Sequence, residues 1–208
     1  MSQEKVTEIM LLDVRLLYGA ALFEPQRGPN GEGDLKFSAT LGFKPEHPAH
    51  AAIKEAFRVV SVEKWKDKAA EIFAGLKAGD KLCLHDGASK PGKEGYAGVM
   101  FVSASNKLKP LVIDGNKSPL SATSGKPYSG CYVNARIQLW PQDNKWGKRI
   151  NASLMGVQFL RDGERLSGGG VASADDFQAI PEAAGASAPA AAGSAAPAGG
   201  GVAVDPFA

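Results

Sequence analysis

Cysteine and histidine are scarce in this 208-residue chain, with two of one and three of the other. Cys83 and Cys131 stand far apart with no second cysteine near either, which excludes a CxxC metal or redox site and leaves both as small apolar core residues. His47, His50, Cys83 and His85 offer only half-sites for a metal, and surface histidines are the better reading, so no metal is expected. No run approaches the ~18–20 apolar residues of a membrane helix, and Met1–Glu8 is polar and mixed in charge, unlike a secretory signal. The expectation is a cytoplasmic protein without membrane contact. Strong net charge is also missing: 24 Lys and Arg face 22 Asp and Glu, for +2. The distribution is uneven, since residues 172–208 hold four acids and no Lys or Arg, leaving residues 1–171 with 24 bases, 18 acids and a charge of +6. The body is basic and the tail is not.

Apolar residues make up 44% of the chain, enough for one substantial core. After Arg165 the composition turns to Ser167-Gly168-Gly169-Gly170, and beyond Pro181 it is almost entirely Ala, Gly, Pro and Ser. Such a stretch buries too little apolar surface to offset its ordering entropy. The expected division is a folded domain over 1–166 and a flexible tail over 167–208, whose first residues to about 180 form a transition. At the very end Val202, Val204 and Phe207 bring apolar side chains back beside Asp205.

Within the domain the apolar period is mostly two. Met10, Leu12, Val14, Leu16 and Tyr18 form one apolar face with Asp13 and Arg15 pointing the other way, and Leu35, Phe37, Ala39, Leu41 and Phe43 form another opposed by Lys36, Ser38, Thr40 and Lys44, with a Gly/Pro loop over 25–33 between them. Further strands are expected over 81–85, 96–103, 110–113, 130–140 and 149–160. Val62, Trp65, Ala69, Ile72, Phe73 and Leu76 follow helical spacing with Gly79 as a stop, and a shorter helix with Ile53, Phe57 and Val60 is opened by Pro48. Strands with one apolar face, interrupted by one helical excursion, predict a mainly β fold, a small antiparallel barrel with a helix plugging one end.

The segment 130–140 carries the most chemical information. Its odd positions, Cys131 to Leu139, are apolar, while its even positions are Tyr132, Asn134, Arg136, Gln138 and Trp140. Two aromatics, a guanidinium and two amides in line form a side-chain set that stacks bases and holds phosphates. Tyr128, Lys145, Trp146, Lys148 and Arg149 extend it into the flanking turns. The alternative for these rings is packing, with Trp140 and Trp146 against the helix and Tyr132 over a barrel edge. Lys90, Lys93 and Lys107, together with Lys109, Lys117 and Lys126, fall in expected loops and either form an electropositive rim or simply solubilise the surface.

Enzyme signatures fail. Gly87-Ala88-Ser89-Lys90-Pro91-Gly92-Lys93 has the spacing of a phosphate-binding loop, but Glu94 stands where Ser or Thr is required, and strand-like sequence follows where a helix must be. There is no Gly-x-Ser-x-Gly elbow and no carboxylate pair set for acid/base work. The chain is expected to be a binding protein without cofactor.

Three stretches then point to a family. Tyr96-Ala97-Gly98-Val99-Met100-Phe101-Val102-Ser103-Ala104-Ser105, Tyr128-Ser129-Gly130-Cys131-Tyr132-Val133-Asn134-Ala135 and Gly156-Val157-Gln158-Phe159-Leu160-Arg161-Asp162-Gly163-Glu164 resemble a bacteriophage family catalogued as a domain of unknown function (DUF2815). That family is similar to phage single-stranded DNA-binding proteins of the T7 type. The resemblance covers most of residues 8–166. It implies an OB-fold that coats single-stranded DNA in phage replication and recombination, with a C-terminal tail for contacts to replication and recombination proteins or to a neighbouring subunit. Tails of that type are strongly acidic and end in an aromatic residue. Here one acid follows Glu182 and Ala208 lies beyond Phe207, so the Asp205-Pro206-Phe207 tip keeps only the apolar part of that pattern. The alternative function is a phage structural or assembly protein that turns the same Tyr132, Arg136 and Trp140 face toward protein. A nuclease or recombinase needs a metal-binding carboxylate cluster that the sequence does not show.

Overall fold

A computed structural model describes residues 7–28 and 31–166, which all lie within one compact unit, Met1–Val171. The tail expected from residue 167 onward, with Asp205, Pro206 and Phe207, lies outside the described residues.

Among the described residues, seven strands and two α-helices follow one another as β1 (Glu8–Tyr18), β2 (Phe37–Phe43), α1 (Pro48–Trp65), α2 (Ala69–Ala78), β3 (Leu84–Asp86), β4 (Met100–Asn106), β5 (Leu111–Ile113), β6 (Tyr132–Asn144) and β7 (Gly147–Arg161). The sheet order is β3-β4-β2-β1-β6-β7-β5, and β4 also pairs with β7 at Ala104 and Ala152. That last pairing closes β1, β2, β4, β7 and β6 into a five-stranded ring. The ring is antiparallel except at this closing contact, which is parallel. Five strands closed in this order, with β1 bonded to both β2 and β6, form an OB-type barrel. Closure removes the open sheet edges that an isolated five-stranded sheet would present.

The barrel interior is filled as the period-two pattern of β6 requires: Val133, Ala135, Ile137 and Leu139 are buried, and the even positions face outward. Leu41, Val102, Ile150 and Leu154 meet them from the other strands. α1 packs on β1 and β6 and drives Ile53, Phe57 and Val60 into the same core, so the helix plugs the barrel. Its start is fixed by Pro48 in the first turn and by His47, whose Nδ1 accepts the Ala49 N–H at 3.1 Å.

Three local expectations are corrected. In β1, Ile9 and Leu11 are buried while Met10 and Leu12 are 54% and 58% exposed. A bulge between Leu11 and Val14, centred on Asp13 at φ 49°, shifts the phase by one residue, so only Val14 and Leu16 keep the expected inward side. Leu35 is exposed because β2 begins only at Phe37. The helical region divides later than its apolar spacing suggests, after Trp65 and not between Val60 and Val62: α1 runs through the exposed Val62 to Trp65, and the chain turns at Lys66, φ 51°, into a 3-10 turn before α2. Trp65 is held at this break by its indole N–H, which donates to Asp143 Oδ2 on β6 at 2.9 Å.

A cationic groove on the barrel wall

The outward face of β2 and β4 forms the floor of a groove of about 770 Å³, walled by the β1–β2 loop on one side and by the turn after β3 on the other. Ser38, Thr40, Ser103 and Ser105 supply the polar floor, and Tyr18, Tyr96 and Phe101 the rings. The groove continues over the β4–β7 closure into a second concavity of about 530 Å³ lined by Trp140, Gln142, Arg149 and Asn151, and the two share Lys36, Ser103 and Ser105. Together they are lined by Arg27, Lys36, Lys81, Lys90, Lys93, Lys107 and Arg149 against Glu32, Asp34 and Asp80. This excess of positive charge along one channel attracts a polyanion, and the partly exposed rings of Tyr18, Tyr96 and Trp140 offer faces for planar groups, while Phe101 is buried beneath Tyr96 and His85.

Lys90, Lys93 and Lys107 are placed by local structure. Lys90 and Lys93 ride on a turn started by Asp86, which accepts the Ala88 N–H at 2.9 Å, and the turn sits tight beneath Tyr96 and Val99. Gly87 permits that approach, since a Cβ there would stand 1.8 Å from the Tyr96 carbonyl oxygen. The glycine thus serves close backbone packing, in a segment that leads to a strand. Lys107 follows Asn106, which donates to the Leu154 carbonyl at 3.1 Å and accepts the Leu108 N–H at 3.0 Å. Tyr96 packs edge-on against Phe101 with 5.0 Å between centroids, His85 stacks on Phe101 at 5.2 Å, and His85 Nδ1 meets Asp80 at 2.8 Å. Burial pushes the Tyr96 hydroxyl above its usual range, while a hydrogen bond with Thr40 opposes the shift.

At the end of the groove stands the β6–β7 hairpin. Asn144 accepts the Trp146 N–H at 3.0 Å, and Gly147 turns the chain at φ 100°. Trp146 is 77% exposed at the tip, with Lys145 5.1 Å from its ring centre. Trp140 is 41% exposed on the groove wall, so neither ring is a core residue. The hairpin is anchored at its root by Asp143, which accepts Lys148 Nζ at 2.8 Å as well as the Trp65 indole. Those two bonds hold the Asp143 carboxyl below the ordinary carboxylate range, that of Lys148 most strongly.

The structure therefore sorts the residues singled out in the sequence. Lys90, Lys93, Lys107, Trp140 and Arg149 line the groove, Lys145 and Trp146 stand on the hairpin tip, and Lys148 is bonded to Asp143. Tyr132, Asn134 and Arg136 do not line it. The Arg161 guanidinium covers the Tyr132 ring at 3.4 Å from its centroid. Asn134 Oδ1 accepts the Asp13 N–H, and Asn134 Nδ2 donates to Gln158, both at 3.0 Å. Arg136 pairs with Glu8 at 2.6 Å beside a more apolar depression of about 430 Å³ formed with Met10, Leu111 and Met155. Arg27, Lys36, Tyr18 and Tyr96 are groove residues that the sequence does not mark as binding candidates. Tyr18 continues the inward phase of Val14 and Leu16 in the sequence, but the register shifts between Leu16 and Tyr18, and Arg27 is brought beside β2 by the pairing of Gln26 with Lys36.

The stretch 96–105 lies in the groove, and the other two motif stretches meet each other away from it. Tyr128 Oη accepts the Gly163 N–H at 3.1 Å and donates to Asp162 at 2.9 Å, while Arg15 donates to the Gly130 and Glu164 carbonyls at 3.3 and 3.0 Å. Tyr128-Ser129-Gly130 and Arg161-Asp162-Gly163-Glu164 are thus two halves of one clasp. Among the described residues no group of His, Cys, Asp and Glu is placed to hold a metal ion, and no helix is long and apolar enough to cross a membrane.

Residues 7–187 match the family described as Enterobacter phage Enc34, ssDNA-binding protein. Protein p50 of Acyrthosiphon pisum secondary endosymbiont phage 1 is 45% identical over 176 residues, covering 83% of this chain and 94% of its own. The single-stranded DNA-binding protein of bacteriophage Enc34, solved in complex with ssDNA, is similar at TM-score 0.65 and 29% identity, over 77% of this chain and 90% of that one. Gp2.5, the single-stranded DNA-binding protein of bacteriophage T7, shares the fold at TM-score 0.50 and 12% identity, over 83% of this chain and 99% of that one. By the extent of these matches, the chain belongs to the family of the Enterobacter phage Enc34 ssDNA-binding protein.

Proposed function

We propose that this protein binds single-stranded DNA without sequence preference and without catalysing a reaction, coating and protecting it in phage replication, recombination and repair within the cytoplasm of the infected host. The observation that carries the reading is the continuous groove over β2, β4 and β7, in which Arg27, Lys36, Lys90, Lys93, Lys107 and Arg149 alternate with Tyr18, Tyr96 and Trp140. Strands two and three of an OB barrel, with the loop between strands one and two and the last hairpin, are where such barrels take oligonucleotides, and here they are β2, β4, the β1–β2 loop and the β6–β7 turn. A duplex hides its base faces, so rings in a groove favour a single strand. The Enc34 protein solved with ssDNA supports the same reading.

In this proposal the division into a binding domain over 1–166 and a tail over 167–208 separates two tasks. The groove holds DNA, and the Asp205-Pro206-Phe207 tip meets replication or recombination proteins, or a neighbouring copy. Titration of the whole protein with single-stranded and duplex oligonucleotides at two salt concentrations tests the DNA reading. Tighter binding of the single strand that weakens with salt supports it, and salt-insensitive binding favours the structural or assembly role.

A further inference from the structure

Where the two concavities join, the groove already contains an anion. Asp34, in the β1–β2 loop, places its carboxylate 2.7 Å from Lys107 Nζ in the turn after β4, at the end of the strand pair where Phe37 faces Asn106. Asp34 lines one concavity and Lys107 the other, so the pair joins the two linings, which also share Lys36, Ser103 and Ser105. The neighbouring backbone is set to hold it there: Arg27 donates to the Gly33 carbonyl at 2.6 Å, and Gln26 and Lys36 exchange backbone hydrogen bonds at 2.9 Å. The Asp34 carboxyl is kept below its ordinary range by the bond and charge of Lys107, with smaller contributions from Lys36 and Arg27. Three cations thus act on one carboxylate, and both partners of the ion pair remain more than half exposed.

We propose that Lys107, Lys36 and Arg27 form a phosphodiester subsite and that Asp34 occupies it in the free protein. A carboxylate and a phosphodiester each carry one negative charge on oxygen acceptors, so the ammonium group that accepts one accepts the other. A DNA backbone running from the Tyr96 concavity to the Trp140 concavity crosses this junction, and its phosphate displaces Asp34 from Lys107. The inference deepens the single-strand reading and rests on it.

The consequence is a specific thermodynamic signature. In the free protein Lys107 is neutralised by Asp34, so its engagement with DNA exchanges one internal ion pair for another and releases little net counterion. The variant Asp34→Asn frees Lys107, and two readouts should move together. Affinity of the full-length protein for a labelled oligo(dT), measured by fluorescence anisotropy at low salt, rises about two- to five-fold, the range an exposed ion pair is worth. The slope of log K against log salt steepens by about 0.7, one phosphate for a single strand. Glu32→Gln removes another acid from the same loop and separates general charge from the specific exchange. In a Lys107→Ala background the gain from Asp34→Asn disappears while any gain from Glu32→Gln persists, as a double-mutant cycle requires for a direct partner. If Asp34→Asn binds oligo(dT) no more tightly than the parent, or with an unchanged slope, the pair is a fastener for the loop and the proposal is overturned. If the unmodified protein fails to bind oligo(dT) at all, it is the single-strand reading that fails.

Discussion

Arg161 sets its guanidinium over the ring of Tyr132, 3.4 Å from the centroid, and is itself held by Asp13 at 2.9 Å. The aromatic residue that the sequence offers first as a base-stacking platform is therefore already stacked, by a neighbour on β7 fixed through the β1 bulge. Tyr132→Ala is expected to cost about 2 kcal/mol of stability and to change single-strand affinity less than two-fold. Trp140→Ala, on the groove wall, is expected to do the reverse, losing about 1–3 kcal/mol of affinity with the melting temperature nearly unchanged. Parallel thermal melts and anisotropy titrations separate the two. A Tyr132 variant that melts normally and binds poorly would return that ring to the interface.

The clasp between the motif stretches makes its own prediction. Gly130 has φ 109°, and a Cβ there would stand 2.0 Å from the Glu164 carbonyl oxygen, while a Cβ on Gly163 would stand 2.3 Å from the Gly130 oxygen. Backbone faces backbone on both sides, so no side chain can swing away. Gly130→Ala is expected to destabilise the domain by about 2 kcal/mol or more, visible as a lowered urea midpoint, whereas Gly115→Ala, with open space around it, is expected to be nearly neutral. Equal midpoints would remove the clasp from the account of the fold.

Much of the barrel is legible in the sequence because its strands have one wet and one dry face. The alternation along Tyr132–Trp140 gives β6 its inward side directly, and Pro48 and Gly79 mark the outer limits of the helical region. What escapes is set by events with no periodic signature. Asp13 inserts one residue into β1 and reverses the phase of Met10 and Leu12, and Lys66 breaks the helix where Trp65 reaches for Asp143. The site was partly legible for the same reason. Lys90, Lys93, Lys107, Trp140 and Arg149 meet across the β4–β7 closure, a contact that joins residues far apart in the chain. Composition identifies these side chains as candidates, but Tyr132 and Arg136 have the same chemistry, and only the positions of Arg161 and Glu8 distinguish them.

Acid should weaken the fold through a small set of carboxylates. Asp143, bonded to Lys148 and Trp65, and Asp162, bonded to Lys126 and Tyr128, are both lowered from 3.8. A carboxylate with a depressed folded pKa stabilises the native state above its unfolded value, and that contribution is lost as pH falls through the folded one. The melting temperature is therefore expected to be level at neutral pH and to decline as pH drops below about 4. Asp143→Asn should lower it at neutral pH and make the acid decline shallower. An identical pH profile in the variant would show that the anchor between hairpin and helix carries no weight.

Both cysteines should be chemically silent in the native protein. Burial pushes the Cys83 thiol up to about 12 and raises that of Cys131 as well, so neither presents thiolate at neutral pH. A colourimetric disulfide reagent is expected to report no fast-reacting thiol before unfolding and two after it. Rapid labelling of the native chain would show that the barrel opens at one of these sites.

The groove itself is tested most directly by anisotropy titration of the full chain with a single-stranded oligonucleotide and its duplex across a series of salt concentrations, alongside Arg149→Ala. The single strand should bind more tightly throughout, with a slope of log K against log salt between about −2 and −4, and Arg149→Ala should flatten that slope by about 0.7. Duplex affinity equal to single-strand affinity at every salt, or a slope that Arg149→Ala leaves untouched, would contradict binding by stacked bases and neutralised phosphates along this groove.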